Sequence, residues 1–329
     1  MVNIFYFWIS EETEERLFDY IITIESIFSI FFNSLAFLIF QLKPPLKNDA
    51  CTNLLKWGRI IDIFIPFTFG IMLRSRTLVP LIGIAANGIC HGSYYLCKAS
   101  LTLQMTSIYP LFSYMFLSYI FRYNIFIRRN YVYYFSHFEK FILLNIWIIL
   151  PITTIFMFQY YGREDFIYES GIRNFTLANF YLNRNKFTLI IYSEHLELPV
   201  YIFLIIYEVA FIFLNLYLII AYTIPFENEL KRCQKSTNKN VAKTIKYNIR
   251  FLRLYVSLPI ILSLLPFTIG FFLSFVPSIR KINFYLNTRH SVLVMIYFCI
   301  SPFLTLHHAY KGYSERNAER KIQQSTIAS

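Results

Sequence analysis

Seven ionisable side chains interrupt otherwise apolar stretches of the sequence: Glu25, Lys56, Arg59, Asp62, Lys98, Glu208 and Arg253. A charge in hydrocarbon is costly, so each marks either a functional position or a buried pair. Lys56 and Arg253 stand near stretch ends and can carry their charge to the headgroups along their methylene stems. Arg59 and Asp62 are spaced i, i+3, which puts them on one helix face within reach of each other. That spacing suits a structural ion pair or a switch element inside a bundle, and the sequence leaves both open. Lys98 follows Tyr94 and Tyr95, and Glu208 stands one heptad after Tyr201, so those two share a face. Polar groups at such depth should face the bundle interior, where they can meet each other or line a ligand cavity. Tyr94, Tyr95, Lys98, Tyr201 and Glu208 are therefore the candidate ligand-binding set, with a purely structural buried pair as the other reading.

Catalytic patterns are missing. The sequence holds no HExxH, no GxSxG and no Walker loop. Of six histidines only His307 and His308 are adjacent, and neighbours on a helix point about 100° apart, a poor metal geometry. The five cysteines, Cys51, Cys90, Cys97, Cys233 and Cys299, show neither CxxC nor alternation with histidine. Neither a zinc site nor a disulfide framework is implied. The expectation is a protein that is not an enzyme and takes no metal or cofactor.

The elements that must position these residues are set by composition. Hydrophobic residues make up 56% of the 329 positions and charged residues only 15%, too few for a soluble surface of this size. Disorder needs low hydrophobicity and is excluded too. A net charge of +12 on a soluble chain would suggest nucleic acid, but here the basic residues gather in a few loops. Membrane lipid, not nucleic acid, is the expected surroundings. The reading is an all-α membrane protein. Met1 to Ser10 lack a basic leader, so the first span should act as its own insertion signal.

A helical span needs about 20 mostly apolar residues. Six are plain: about 20–42, 50–73, 141–161, 198–224, 251–276 and 290–310. The apolar region 78–121 is too long for one helix and could hold one or two. Charge decides. With one span there, about 85–121, and the N-terminus outside, the inner segments carry 17 Lys and Arg against 10 outside. Acidic residues number 6 inside and 10 outside, which sharpens the contrast. Two spans would put 18 basic residues outside and 10 inside, against the positive-inside rule. The expected layout is an extracellular N-terminus over 1–19, seven spans over 20–310 and a cytoplasmic tail over 311–329. The sequon Asn174-Phe175-Thr176 then falls in an outer loop and is a candidate glycosylation site. Pro66, Pro110, Pro151, Pro259, Pro266 and Pro302 fall inside spans and should kink them.

Five local stretches give the layout a family resemblance. Leu38-Ile39-Phe40-Gln41-Leu42-Lys43-Pro44-Pro45-Leu46-Lys47, followed by Leu54-Leu55 and Asp62, is similar to a first inner loop "LIxxKTPKxM" and a second helix "LL…D". Pro80, Gly83 and Gly88 resemble a "P…GYxxG" entry to helix three. Phe121-Arg122-Tyr123 looks like an "ENRY" exit from it. Ser236-Thr237 to Pro259 is similar to the run into helix six, and His308-Ala309-Tyr310-Lys311 stands where the last helix ends in "kPYR". Together, over about residues 30–313, these resemble the nematode Str-superfamily chemoreceptors, closest to serpentine receptor class h. The chain departs from the pattern at Phe121, Ala309 and Lys311, and lacks the glutamines expected before helix six.

The resemblance implies a seven-helix, G-protein-coupled chemosensory receptor of the olfactory type. It would bind a small-molecule ligand within the bundle and signal through a heterotrimeric G protein. Its place would be the plasma membrane, in the ciliary membrane of a chemosensory neuron. It also implies that Arg122 and Tyr123 face the G protein, with Arg122 lacking an adjacent acidic partner. The alternative, a small-solute transporter or channel, rests on the intramembrane charges.

Overall fold

The computed structural model describes residues 11–42, 50–78, 82–161, 187–193, 217–235, 239–266 and 291–311, with isolated positions between 202 and 214 and residue 269. Of these, 86% are helical. Glu15–Leu42, His137–Tyr160 and Ser291–Lys311 are long and apolar enough to cross a membrane. Tyr201, Glu208 and Asn174 lie outside the described residues.

Helix α1 runs Glu11–Leu42. At 1.5 Å per residue its 32 residues extend about 48 Å, well beyond a hydrocarbon core of about 30 Å. Its acidic first turns, expected as part of the N-terminal segment, are therefore helix. Helix α2, Ala50–Pro66, continues as a π-helical segment, Phe67–Leu73. Helix α3, Tyr94–Tyr123, is capped by Ser93 and ends in a second π segment, Asn124–Arg128. Helices α4, His137–Leu144, and α5, Leu150–Tyr161, flank a third, Asn145–Ile149. A fourth, Ile219–Thr223, leads into α6, Ile224–Lys235. Helix α7, Lys239–Pro259, runs into the fifth, Ile260–Leu264, and Ser291–Lys311 forms α8.

Four of these five π segments stand within two residues of a proline: Pro66, Pro151, Pro225 and Pro259. Proline removes one N–H and crowds the carbonyl four residues back. For Pro151, Pro225 and Pro266 that carbonyl, of Trp147, Ala221 and Leu262, lies inside the π segment, where the wider i→i+5 pattern accommodates it. Pro110 and Pro302 sit inside α3 and α8 with no such segment. The expected kinks are thus realised in part as local changes of helical pitch.

Helix α3 is the axle of the bundle. Tyr109, Leu111, Tyr114, Phe116, Tyr119 and Phe121 are buried on it, and so are Ser100, Thr102, Gln104, Ser107, Ser113 and Ser118. Over residues 104–122 none of its described side chains is exposed, so this part of the helix meets neighbours all round, which accounts for its lack of a polar face. It packs on α2 and α5, and α2 packs along α1.

The fold departs from an all-helical reading at one end. Strands β1, Ser75–Thr77, β2, Ile82–Ala86, and β3, Thr188–Ser193, form an antiparallel sheet in the order β1-β2-β3. Their β-branched residues suit a pleated surface. The entry to the third span, expected as helix from about Ala85, is therefore strand and turn up to Ser93. The turn docks on the end of the second helix: Gly88 N–H donates to Leu73 O at 3.0 Å and Cys90 N–H to Met72 O at 3.1 Å. A Cβ on Gly88 would lie 2.3 Å from the Met72 carbonyl, so a side chain there would lift the turn away.

Cys90 and Cys97 form a disulfide with their Cα atoms 4.9 Å apart, correcting the expectation that none is implied. The spacing hid it because the 88–93 turn doubles back onto the first helical turns of α3. Leu73, Ile84, Ala86, Cys90, Tyr94, Cys97, Leu101, Phe158 and Ile190 close a small core beneath the sheet.

Candidate functional site

A polar assembly in the interior is built on Arg59 and Asp62, both fully buried on α2. Arg59 Nη1 meets Asp62 Oδ2 at 2.9 Å, as the i, i+3 spacing expects. The structure adds what spacing could not supply. Arg59 Nη1 also donates to Asn33 Oδ1 on α1 at 2.9 Å and to Ser301 Oγ on α8 at 2.7 Å. Its Nη2 donates to the Tyr255 hydroxyl on α7 at 3.2 Å, and Ser301 Oγ donates to Asp62 Oδ2 at 2.6 Å. The Tyr114 ring of α3 lies on Gly58, where a Cβ would come within 2.5 Å of it, and packs edge-on against Tyr255. Five helices thus converge on one ion pair.

Prolines sit four residues past the hub in three of these helices. Pro66 follows Asp62, Pro259 follows Tyr255 and Pro302 follows Phe298. Each deprives the earlier carbonyl of its helical donor. Asn33 Nδ2 supplies the replacement at Phe298 O, at 3.0 Å. The helices are therefore weakest at the level where the polar hub holds them.

A second cluster lies under the sheet. Arg76 of β1, buried, reaches Glu15 at 2.8 Å and Asp19 at 2.6 Å on α1. It donates to Asn87 Oδ1 at 2.7 Å and lies between the Phe18 and Phe187 rings. This clamp ties the sheet to the overhanging turns of α1. Sequence reasoning passed over Arg76 because its acidic partners are more than fifty positions away.

The candidate ligand set is only partly assembled. Tyr94 and Lys98 are buried, and Lys98 Nζ donates to Gln159 O at 2.8 Å, a cation on the last carbonyls of α5. Gln159 Nε2 in turn donates to Thr102 Oγ1 at 2.8 Å. Tyr95, 75% exposed, points away from the interior and leaves the set. One step along a helix turns a side chain by about 100°, so Tyr94 and Tyr95 cannot both face inward.

At the opposite end Arg122 is 2% exposed, so it does not present a surface to a partner, as the resemblance implied. Nor is it unpaired. It donates to Ser118 O at 3.0 Å, meets His308 Nε2 of α8 at 3.1 Å and lies over the Phe251 ring of α7. His308 is stacked on Phe251 and on Tyr247. Arg122 thereby latches α3 to α7 and α8. Beside a permanently charged guanidinium, the facing nitrogen must accept, which fixes the imidazole as neutral. Substituting His308 by alanine removes that acceptor and should lower the stability of the purified chain in detergent by about 1–3 kcal/mol, read by thermal unfolding. Stability equal to wild type would show that the contact does not hold α3 to α8.

Tyr123 packs edge-on against Tyr222 and Phe226 and lies beneath Arg128. Arg128 grips the buried Glu139 in bidentate fashion, at 2.8 and 3.1 Å. Glu139 also accepts from the Ser136 N–H at 2.7 Å and from the Tyr222 hydroxyl. Partial burial opposes the Arg128 charge, but the hydrogen bonds and charge of Glu139 hold that guanidinium above its ordinary value. Asn124 Nδ2 donates to the Val132 and Tyr134 carbonyls at 2.9 and 2.7 Å, closing the loop between α3 and α4. Ser136 and Glu139 form a capping box at the start of α4, a spacing that sequence reasoning passed over.

Among the described residues no group of three metal-ligating side chains converges. No known protein-family model matches the chain, and no curated protein does. Fold and site define a mostly helical chain with three candidate membrane-spanning helices, its interior cross-linked by charge.

Proposed function

We propose that the chain is a seven-helix chemosensory receptor of the plasma membrane, with its N-terminus outside and its tail inside. A small molecule entering near the sheet end would favour one of two helix arrangements, and the opposite end would pass the change to a heterotrimeric G protein. The observation that carries this reading is the hub at Arg59 and Asp62. It links five helices at the level where three are weakened by proline. A ligand shifts such an equilibrium only by its differential affinity for the two arrangements. The Arg122–His308 latch gives the other end a contact that can open. The charge asymmetry of the loops supports the orientation, which puts Asn174 outside as a glycosylation site. The resemblance to nematode chemoreceptors supports the sensory role and the ciliary location.

The test is a panel of small volatile and water-soluble compounds applied to cells that express the chain, with a calcium or cAMP readout. A response that needs co-expressed G protein is expected. Charge-coupled solute flux in vesicles containing only this protein would instead establish a transporter.

A further inference from the structure

Helix α7 carries two chemistries along one exposed flank. Lys239, Lys243, Lys246, Arg250 and Arg253 recur at intervals of four and three, which lines them up on a single face, and all five are exposed. Toward its C-terminal end the exposed flank turns apolar, at Leu254, and stays so at Ile261 in the π segment that follows and at Leu265 just past it. The other face is packed: Ile245, Ile249, Leu252 and Tyr255 are buried in the core.

A change from apolar to basic along one lipid-facing flank marks the edge of the hydrocarbon, here at Arg253 and Leu254. Arg253 at that edge is already paired with Glu227 of α6. At 1.5 Å per residue, Arg250 stands about 5 Å beyond the edge, Lys246 about 10 Å and Lys243 about 15 Å. The headgroup layer of one leaflet is only about 5–8 Å deep. A phosphodiester reaches Arg250 but not Lys243. A headgroup with further phosphates held outward from the diester matches the whole row. The helix has no acidic residue in its first turn, so cations also crowd its positive end, where a bound polyanion offsets both charges.

We propose that Lys243, Lys246 and Arg250 of α7 bind a polyphosphorylated membrane headgroup of the phosphoinositide class. The inference rests on the membrane reading above and not on the signalling one. Its consequence follows from the other contacts of the same helix, where Tyr247 beside the basic flank and Phe251 further round hold His308, and Tyr255 on the packed face holds Arg59. A lipid gripping the outer flank would hold α7 in the position that closes the latch and completes the hub.

The experiment uses the purified full chain in detergent micelles and fluorescence anisotropy of a labelled short-chain phosphatidylinositol bisphosphate. Binding at least tenfold tighter than to labelled short-chain phosphatidylserine is expected. The double variant Lys243→Gln/Lys246→Gln should lose about thirtyfold in affinity, since each cation near an anionic headgroup contributes about fivefold. Lys140→Gln, an exposed cation elsewhere, should leave binding unchanged and serves as the folding and charge control. Free inositol trisphosphate should compete more weakly than the lipid; equal competition would show that no membrane lipid is read. Equal affinity for phosphatidylserine, or an undiminished double variant, would overturn the proposal. So would competition by polyglutamate as strong as by the lipid, which would make the flank a protein-docking surface. No signalling is measured, so failure of the receptor reading would leave this result standing.

Discussion

Replacing Asp62 by leucine is expected to destabilise the folded bundle by about 3–5 kcal/mol, the typical cost of leaving one member of a buried ion pair without its counter-charge. Arg59 is fully buried and cannot lose its proton, so it has no route to neutrality. Asn33, Ser301 and Tyr255 would still accept its hydrogen bonds, but none carries a compensating charge. Asp62 Oδ1 has no hydrogen-bond donor among the described residues, so the carboxylate is held chiefly through Oδ2. The double variant Arg59→Met/Asp62→Leu removes both charges and should recover most of the loss, because burying a pair costs nearly what its attraction returns. Thermal unfolding of the wild type, both single variants and the double in one detergent closes the cycle. A double variant as unstable as Asp62→Leu would mean that the hub holds the helices by shape and hydrogen bonding, not by charge. If the proposed receptor function holds and the hub selects between helix arrangements, the stable double variant should lose ligand-dependent signalling while it still reaches the cell surface.

Glu139→Ala should cost about as much, again about 3–5 kcal/mol, for a different reason. The Glu139 carboxylate accepts four hydrogen bonds, two from Arg128, one from the Ser136 N–H and one from Tyr222. Alanine leaves the buried Tyr222 hydroxyl without that acceptor and the Arg128 guanidinium without its counter-charge. It also removes half of the capping box of α4. Glutamine keeps one acceptor oxygen and should fall between wild type and alanine. Because the cluster organises the loop between α3 and α4, limited proteolysis at Arg128 or Arg129 should accelerate in the alanine variant. Protection equal to wild type would show that Asn124, through Val132 and Tyr134, holds the loop by itself.

Much of the helical framework was written in local pattern. Runs of apolar residues long enough to cross a bilayer need only composition to be seen, and three described helices, Glu15–Leu42, His137–Tyr160 and Ser291–Lys311, are such runs. The Arg59–Asp62 contact was legible too, since i, i+3 neighbours on a helix meet whatever surrounds them. The ends of elements were less so. Helix α1 begins at Glu11 because its first charged turns are held by Arg76, a tertiary contact that no window of hydropathy contains. Gly83, read as part of the lead-in to a helix, lies in a strand because β3, some hundred positions later, supplies the pairing edge to residues 82–86.

What the sequence determined by itself is the long apolar helices and the charged pair, both of them properties of neighbours within one or two turns. What only the tertiary structure decided is which distant groups meet. Asn33, Tyr255 and Ser301 gather round Arg59 from three other helices. His308 turns a helix-end arginine that looked free and exposed into a buried latch. Cys90 and Cys97 close on each other once the turn between them folds back. The physical reason is common to all three. A buried polar group must find a partner, but its own sequence says only that one is needed, and the packing of the helices decides which.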